Sequence, residues 1–219
     1  MLRLIQKNSF IFFAYLAGYM FFIFPLMNYT RYTTDEPFDP TYIFYQTPFI
    51  FWIVLGAIWT QENLESKIKG YSFLRTLPIT FGEIVVSKFS VAVMAVLAYE
   101  LFQWSTLSLF STPSEYMTMI RSYLVLYGGL CLIISGLFYL SIFKFGFLRM
   151  SKFVFILWIL LFISPLPIRE FLAPKFNIEI TDIIRSTASL NWVLVAVVSL
   201  ILYLGLMQAT KKLNPPSEG

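Results

Sequence analysis

The stretch ENLESKIKGYSFLRTLPITFGEIVVSK, residues 62–88, lies between two long apolar runs and decides where the neighbouring helices begin and end. Charged residues are dense within it and rare in the segments that flank it. Leu77-Pro78 marks a break, because the residue before a proline is pushed out of the helical conformation. Thr80 and Glu83 then have the spacing of a capping box, in which two side chains satisfy the free amides at the start of a helix. The stretch therefore predicts a polar connection that leads directly into an apolar helix.

The composition of the 219-residue chain indicates a membrane protein. Hydrophobic residues make up 58% of the chain, charged residues 13%, and the mean hydropathy is +0.73. Soluble domains carry about 25% charged residues, and a soluble protein of this size could not hide so much apolar surface. Within a bilayer only helices or closed barrels satisfy every backbone group. The apolar runs are long and do not alternate, so the predicted fold class is an all-α integral membrane protein.

Six apolar segments approach the length of about 20 residues that a membrane-spanning helix needs. The fifth is short and ends in Ser164-Pro165-Leu166-Pro167, so its outer end is expected to be broken or re-entrant. Residues 1–213 are predicted to form one six-helix domain, and residues 214–219 a flexible tail. The predicted spans are residues 9–28, 42–61, 84–110, 123–143, 153–168 and 192–209.

The distribution of Lys and Arg predicts the orientation, because basic residues concentrate in cytoplasmic loops. An even number of spans places both termini on one side, and 11 of the 16 basic residues fall on that side. We therefore expect a multi-pass protein of the cytoplasmic membrane with both termini in the cytoplasm. The net charge of +4 follows from this asymmetry and gives no reason to expect a nucleic acid partner. The 11 residues are Arg3, Lys7, Lys67, Lys69, Arg75, Lys88, Lys144, Arg149, Lys152, Lys211 and Lys212.

The residue inventory excludes several chemistries. The chain has no histidine, so it cannot build a His-based catalytic triad or a His/Cys zinc site. No GxxxxGK[ST] motif is present, so the chain carries no P-loop for a nucleotide. Cys131 is the single cysteine, so the chain forms no internal disulfide. We expect no catalytic residues, no metal and no cofactor in this chain, and any energy for work must come from elsewhere.

Glu100 and Gln103 are polar residues well inside the third predicted span. A charge near the bilayer centre costs at least about 2.5–3.5 kcal/mol, so such residues usually face a bundle interior or a cavity. One interpretation places both on a substrate path. The other is a protonated or hydrogen-bonded carboxyl near the outer interface, paired with Gln103 or Arg121. Lys88, one turn into the same span, is expected to extend its ammonium group to the inner surface. In the last span, the small residues Gly205 and Ala209 are spaced for close helix packing.

Residues 62–83 are expected to project into the cytoplasm between spans two and three. Apolar residues recur at helical spacing before Leu77-Pro78, with charged residues on the other faces. This pattern predicts a short helix along the inner surface, suited to docking against a soluble partner; a plain solvated connection is the alternative. The candidate docking residues are Glu62, Leu64, Glu65, Ile68, Tyr71, Leu74, Arg75, Leu77 and Pro78.

This stretch resembles the segment after the second span of ABC-2-type transporter permeases. In that family an acidic residue is followed, about a dozen residues later, by Leu-x-x-Leu-Pro, a few polar residues, Glu/Asp-Ile-Val and a Lys that enters span three. The close resemblance covers about 28 residues, ENLESKIKGYSFLRTLPITFGEIVVSKF, and the six-span layout extends it loosely over the whole chain. The chain is most similar to small bacterial permeases that pair with a separate ATPase to export peptides or confer resistance to them. The matching residues are Glu62, Leu74, Leu77, Pro78, Glu83, Ile84, Val85 and Lys88.

The resemblance implies a half-transporter with an ABC-2-type (type V exporter-like) permease fold. Two permease subunits, identical or related, would enclose the path of an exported substrate, and two ATPase subunits would bind ATP and Mg²⁺ below the bilayer. Residues 62–77 would hold the coupling helix that contacts the ATPase. The family also has a short amphipathic helix before span one, for which residues 2–7 are a minimal candidate, and a re-entrant hairpin before span six, for which residues 164–185 are a candidate.

A different class of function stays open from the sequence. The chain could be a non-transporting membrane protein, such as an immunity factor or scaffold, that acts by binding a partner without an ATPase. The residues do not identify the substrate, and export is inferred only because the family mostly exports.

Overall fold

The computed structural model describes residues 2–25, 46–67, 79–109, 114–163, 175, 182, 186–187 and 189–213. Within these residues the chain is helical and forms six long helices and no strand. The all-α prediction is therefore confirmed for this part of the chain. The helices are α1 (Leu2–Gly18, extended by a π turn at Tyr19–Ile23), α2 (Phe49–Lys67), α3 (Phe81–Leu109), α4 (Ser114–Phe145), α5 (Phe147–Ile163) and α6 (Trp192–Lys211).

The helix ends follow local sequence signals. The backbone amide of Thr80 donates to Glu83 Oε2 at 2.8 Å, and the amide of Glu83 donates to Thr80 Oγ1 at 3.2 Å, so the predicted capping box starts α3. Asn191 caps α6 by accepting from the amides of the second and third helical residues at 3.1 and 3.2 Å. Gly146 separates α4 from α5 with φ of +83°, a conformation that a side chain would strain.

α4 and α5 begin at Ser114 and Phe147, earlier than the predicted residues 123 and 153, and two segments expected to be separate helices are parts of longer ones. α2 does not end with the apolar run at residue 61 but continues to Lys67, so residues 62–67 extend α2 rather than starting a separate helix. α1 likewise runs without a break from Leu2, so residues 2–7 form its first turns and not a separate amphipathic helix. The expected re-entrant hairpin at 164–185, except for Lys175 and Asp182, the tail at 214–219 and the docking residues at 68–78 lie outside the described residues.

Side-chain contacts fix the relative directions of the helices. α1 and α2 are antiparallel, since Lys7 lies near Glu65 and Tyr19 lies near Phe49. α3 and α4 are antiparallel as well, because Phe81 packs on Phe143 near one end and Trp104 packs on Arg121 near the other. α2 and α3 are antiparallel too, since Glu62 meets Lys88 and Tyr99 hydrogen-bonds to Gln46, just before α2. The first four described helices therefore alternate in direction. α5 packs against α2 and α4.

α4 and α6 run parallel and in close contact. Arg121 lies beside Trp192, Gly129 beside Ser199 and Gly136 beside Leu206, so paired residues keep a nearly constant offset along the chain. A side-chain carbon at Gly136 would approach Leu206 to 2.9 Å, and one at Gly129 would overlap the Ser199 hydroxyl. The two glycines therefore allow the helices to approach each other. Because α4 and α6 run in the same direction, the chain between Phe145 and Trp192 must return from one end of the bundle to the other.

The exterior of the bundle is that of a membrane protein. Three described helical segments, Phe81–Thr106, Met117–Phe145 and Trp192–Lys211, are long and apolar enough to cross a bilayer, and a shorter apolar helix covers Lys7–Ile23. Large apolar side chains are exposed along the outer faces, most densely on α6. In water such surfaces would drive association. With the directions above, most described Lys and Arg residues gather at one end of the bundle, where α2 ends and α3 begins.

Candidate functional site

Four charged residues meet where α1, α2 and α3 come together at the basic end. We call Glu62, Glu65 and Lys88, with Lys7 at their edge, the ion cluster. Lys88 Nζ donates to Glu62 Oε1 and, at 2.9 Å, to Glu65 Oε2. Lys7 Nζ lies 3.4 Å from Glu65 Oε1. The Glu62 and Lys88 residues are 0% and 1% exposed, so both charges are enclosed by the three helices.

A layer of neutral polar groups lies against the ion cluster. Gln61 Nε2 donates to Asn8 Oδ1 at 2.7 Å and lies 3.3 Å from Glu65 Oε1. Asn8 Nδ2 in turn donates to Ser87 Oγ at 2.9 Å. Asn8 is on α1, Gln61 on α2 and Ser87 on α3, so the same three helices are joined a second time. Buried polar groups normally need such partners.

Lys7 of α1 brings a second ammonium group to the carboxylates of the ion cluster. The two carboxylates face one buried ammonium group, and the second, Lys7, is half exposed at the edge. Burial raises the pKa of the Glu65 carboxyl, but Lys88 and Lys7 outweigh this and hold the pKa below its ordinary value of 4.5. Glu65 is therefore an anion at neutral pH.

The described docking residues differ in exposure: Leu64 is exposed, whereas Glu62 and Glu65 are buried. Leu64 is 49% exposed at the end of α2, as a docking residue requires. Glu62 and Glu65, expected on outward faces, are instead buried in the ion cluster. The expectation that Lys88 extends its ammonium group to the inner surface is wrong, because the group is enclosed between two carboxylates. Ile68, Tyr71, Leu74, Arg75, Leu77 and Pro78 lie outside the described residues, so their docking role stays a prediction.

The sequence reasoning missed the ion cluster, although a signal was present. Glu62 and Glu65 are three residues apart, which places two carboxylates on one face of any helix that continues through them. Lys88 stands one turn into the next helix, and a two-helix hairpin brings these positions to the same level. Ending α2 at residue 61 concealed the shared face.

Glu100 lies at the interface of α3 with α4. A side-chain carbon at Gly128 would overlap the Glu100 carboxyl, so the missing side chain provides the space that the carboxyl fills. Among the described residues it makes no hydrogen bond or ion pair. The alternative pairing of Glu100 with Gln103 or Arg121 is therefore not found in this part of the chain.

Gln103 belongs to a separate polar cluster between α1 and α3. Its Nε2 donates to Tyr19 Oη at 2.6 Å and to Tyr99 Oη at 2.9 Å, and the Tyr99 hydroxyl donates to the Gln46 carbonyl at 2.6 Å. Tyr19 is the first residue of the π turn, a feature that often occurs at functional positions. Gln103 is buried and hydrogen-bonded there, so it does not share a site with Glu100.

Arg121 is held by aromatic rings at the end of the bundle away from the ion cluster. Its guanidinium carbon lies 5.0 Å from the Trp104 ring centroid and 5.4 Å from that of Trp192. Cation–π contacts of this kind stabilise a guanidinium group against an indole face. They join α3, α4 and α6 at the end of the bundle opposite the ion cluster.

The described residues contain no group of three or more Asp, Glu, Cys or His side chains that could hold a metal ion. The fold and its exterior define the chain as a helical membrane protein with a buried charged cluster at its basic end. No family model matches the chain, and no curated protein or solved structure is significantly similar to it. The resemblance to ABC-2-type permeases therefore depends on the motif and the layout of the spans.

Proposed function

We propose that this chain is the membrane-spanning permease subunit of an ATP-binding-cassette exporter in the cytoplasmic membrane. A separate ATPase subunit, two copies per transporter, docks on the segment 62–83 and supplies the energy. A second permease subunit completes the substrate path. The chain itself catalyses no reaction.

The ion cluster is the observation that carries this proposal. Glu62 and Lys88 are the first and last charged residues of the stretch that resembles the family motif, and they bind each other. Glu83, also part of that pattern, caps α3. The segment 68–78 therefore leaves from one helix and returns to another whose ends are joined by buried charges. A push on this segment would reach both helices together.

Enclosed polar contacts suit such transmission. Packed interiors and ion-paired networks resist continuous deformation and move as units. α1 is part of the same unit through Asn8 and Lys7. The exposure of Leu64 at the end of α2 supports the proposal, because an apolar contact for a docked subunit must be accessible.

The proposal predicts a gene for an ATP-binding-cassette ATPase next to the gene of this chain, and co-expression of the two tests it. We expect the permease to co-purify from solubilised membranes with one ATPase per permease. Leu64→Ala and Tyr71→Ala should keep membrane expression near the normal level and weaken ATPase binding by roughly 1–3 kcal/mol each, because interface energy concentrates in a few apolar anchors.

Leu190→Ala is the matched control for this experiment. Leu190 is similarly exposed but lies next to the start of α6, at the opposite end of the bundle. Its substitution should leave ATPase binding unchanged. A purified complex that lacks any ATPase would contradict the proposal and favour a non-transporting protein. Normal binding by the Leu64 and Tyr71 variants would remove the docking role of the segment.

A further inference from the structure

Glu100 is a membrane-embedded carboxyl for which the described part of the chain provides no partner. It lies twelve residues beyond Lys88 on α3, about 18 Å along the helix axis. Gly128 of α4 provides its space, as described above. A glycine is required at position 128 for this contact, because a side-chain carbon there would displace the Glu100 carboxyl.

The carboxyl is not sealed inside the bundle. Glu100 is partly exposed, at the edge of an exposed apolar row on α3 formed by Met94, Leu97 and Leu101. A molecule that lies along this row reaches the carboxyl from its side. A carboxyl group therefore adjoins an apolar surface that is open to the bilayer or to a neighbouring subunit.

From this arrangement we propose that Glu100 binds the cationic group of an amphipathic ligand whose apolar part lies along Met94, Leu97 and Leu101. The chemical class is a hydrophobic amine. The inference rests on the proposed function in one respect, since the ligand would be the transported molecule.

The distribution of the other charges supports a cation from outside the chain. An ionised carboxylate within a membrane bundle requires a counter-charge or a hydrogen bond, and without one the group takes up a proton. Lys88 is engaged by Glu62 and Glu65. Arg121 stacks between two indole rings and makes no ion pair with Glu100. No described side chain pairs with Glu100, so a cationic ligand would be the group that stabilises its ionised form.

Binding of decylamine to the full chain in lipid nanodiscs tests the proposal, with decanol as the neutral probe. Equilibrium dialysis against empty nanodiscs corrects for partitioning into lipid. We expect Glu100→Gln to weaken decylamine binding by about 30-fold or more, because a charge pair in a desolvated site is lost. Decanol should bind the wild type and Glu100→Gln equally. The glutamine has nearly the same size, and no described hydrogen bond of the carboxyl is broken, so this variant should fold.

A pair of glycine substitutions provides a second, independent measurement. Gly128→Ala keeps the carboxyl but displaces it, and should also weaken decylamine binding. Gly205→Ala adds the same methyl group where no atom lies within 4 Å, and should bind like the wild type. Decylamine binding that is equal in the wild type and Glu100→Gln, or no greater than to empty nanodiscs, would overturn the proposal.

The outcome separates this site from the transport function. Binding that depends on Glu100, in a chain that co-purifies with no ATPase, would keep the cation site and remove the transporter assignment. With an ATPase present, decylamine should stimulate ATP hydrolysis in the wild-type complex and not in the Glu100→Gln complex. Stimulation that survives Glu100→Gln would mean that the amine acts elsewhere, and would overturn the proposal.

Discussion

At the scale of single residues, Lys88 decides the structure of the basic end. An isolated buried charge costs several kcal/mol even after relaxation, and attraction to a partner offsets this only when the geometry is good. Lys88 meets the condition by contacting two carboxylates at once. The cluster consequently specifies which helix ends meet. Its net contribution to the free energy of unfolding is small, because the cost of burying the charges offsets much of their attraction.

Lys88→Met should destabilise the protein strongly. The substitution leaves Glu62 and Glu65 enclosed without their ammonium group, and breaking a buried pair in this way costs about 3–5 kcal/mol. The measurement is the midpoint of thermal aggregation in detergent, followed by size-exclusion chromatography.

Two controls accompany this variant. Lys152→Met removes an exposed lysine close to the same end of the bundle and should leave the midpoint unchanged. Adding Glu62→Gln and Glu65→Gln to Lys88→Met removes the uncompensated charges and should recover most of the loss. A Lys88→Met protein as stable as the wild type would show that the cluster does not hold the helix ends.

At the scale of helices, the sequence predicts the presence and order of the helices better than the side-chain contacts between them. Within the described residues, each of the six apolar runs lies in a helix, as expected where the backbone must satisfy its own hydrogen bonds in lipid. The Thr80–Glu83 cap was predictable because its partners are three residues apart. The contact of Lys88 with Glu62 spans 26 residues and depends on how two helices meet, which hydropathy does not encode.

The glycines of α4 and α6 also show that sequence spacing alone does not reveal which residues form a contact between helices. The spacing of Gly205 and Ala209 on α6 predicts close helix packing, yet a side-chain carbon at Gly205 meets no atom within 4 Å. The close contact between α4 and α6, which we call the seam, is formed instead by Gly129 and Gly136, seven residues apart on α4. Both kinds of glycine look alike in an apolar run, and only the packing of a second helix distinguishes them.

Gly136→Ala should loosen the contact between α4 and α6. The added carbon approaches Leu206 to 2.9 Å and Tyr203 to 3.1 Å, so side chains in the seam must shift. Overpacking of this kind typically costs about 1–3 kcal/mol. The readout is the thermal midpoint in detergent, and Gly205→Ala on the facing helix should match the wild type. Equal midpoints for the two alanine variants would contradict the seam.

At the scale of the whole molecule, charge distribution and helix direction agree. The positive residues were assigned to one side from sequence alone, and the described helices bring most of them to one end. The contacts establish which helix ends lie together, while the side of the membrane on which they lie stays a prediction.

Labelling with an impermeant thiol reagent tests the orientation. Single cysteines at Lys67 and at Ser189, both exposed and at opposite ends of the bundle, are introduced after Cys131 is replaced by alanine. In intact cells the cysteine at position 189 should react, whereas the one at position 67 should react only after the membrane is opened. Reaction of both in intact cells would refute the cytoplasmic assignment.

The order in which the chain is synthesised determines when the ion cluster can form. Residues Asn8, Gln61, Glu62 and Glu65 all leave the ribosome before Lys88. Until α3 is made, the first helical hairpin carries two carboxylates at the membrane boundary without their main counter-ion. The contacts of Glu62 and Glu65 with Lys88 therefore form only after α3 has joined the first two helices.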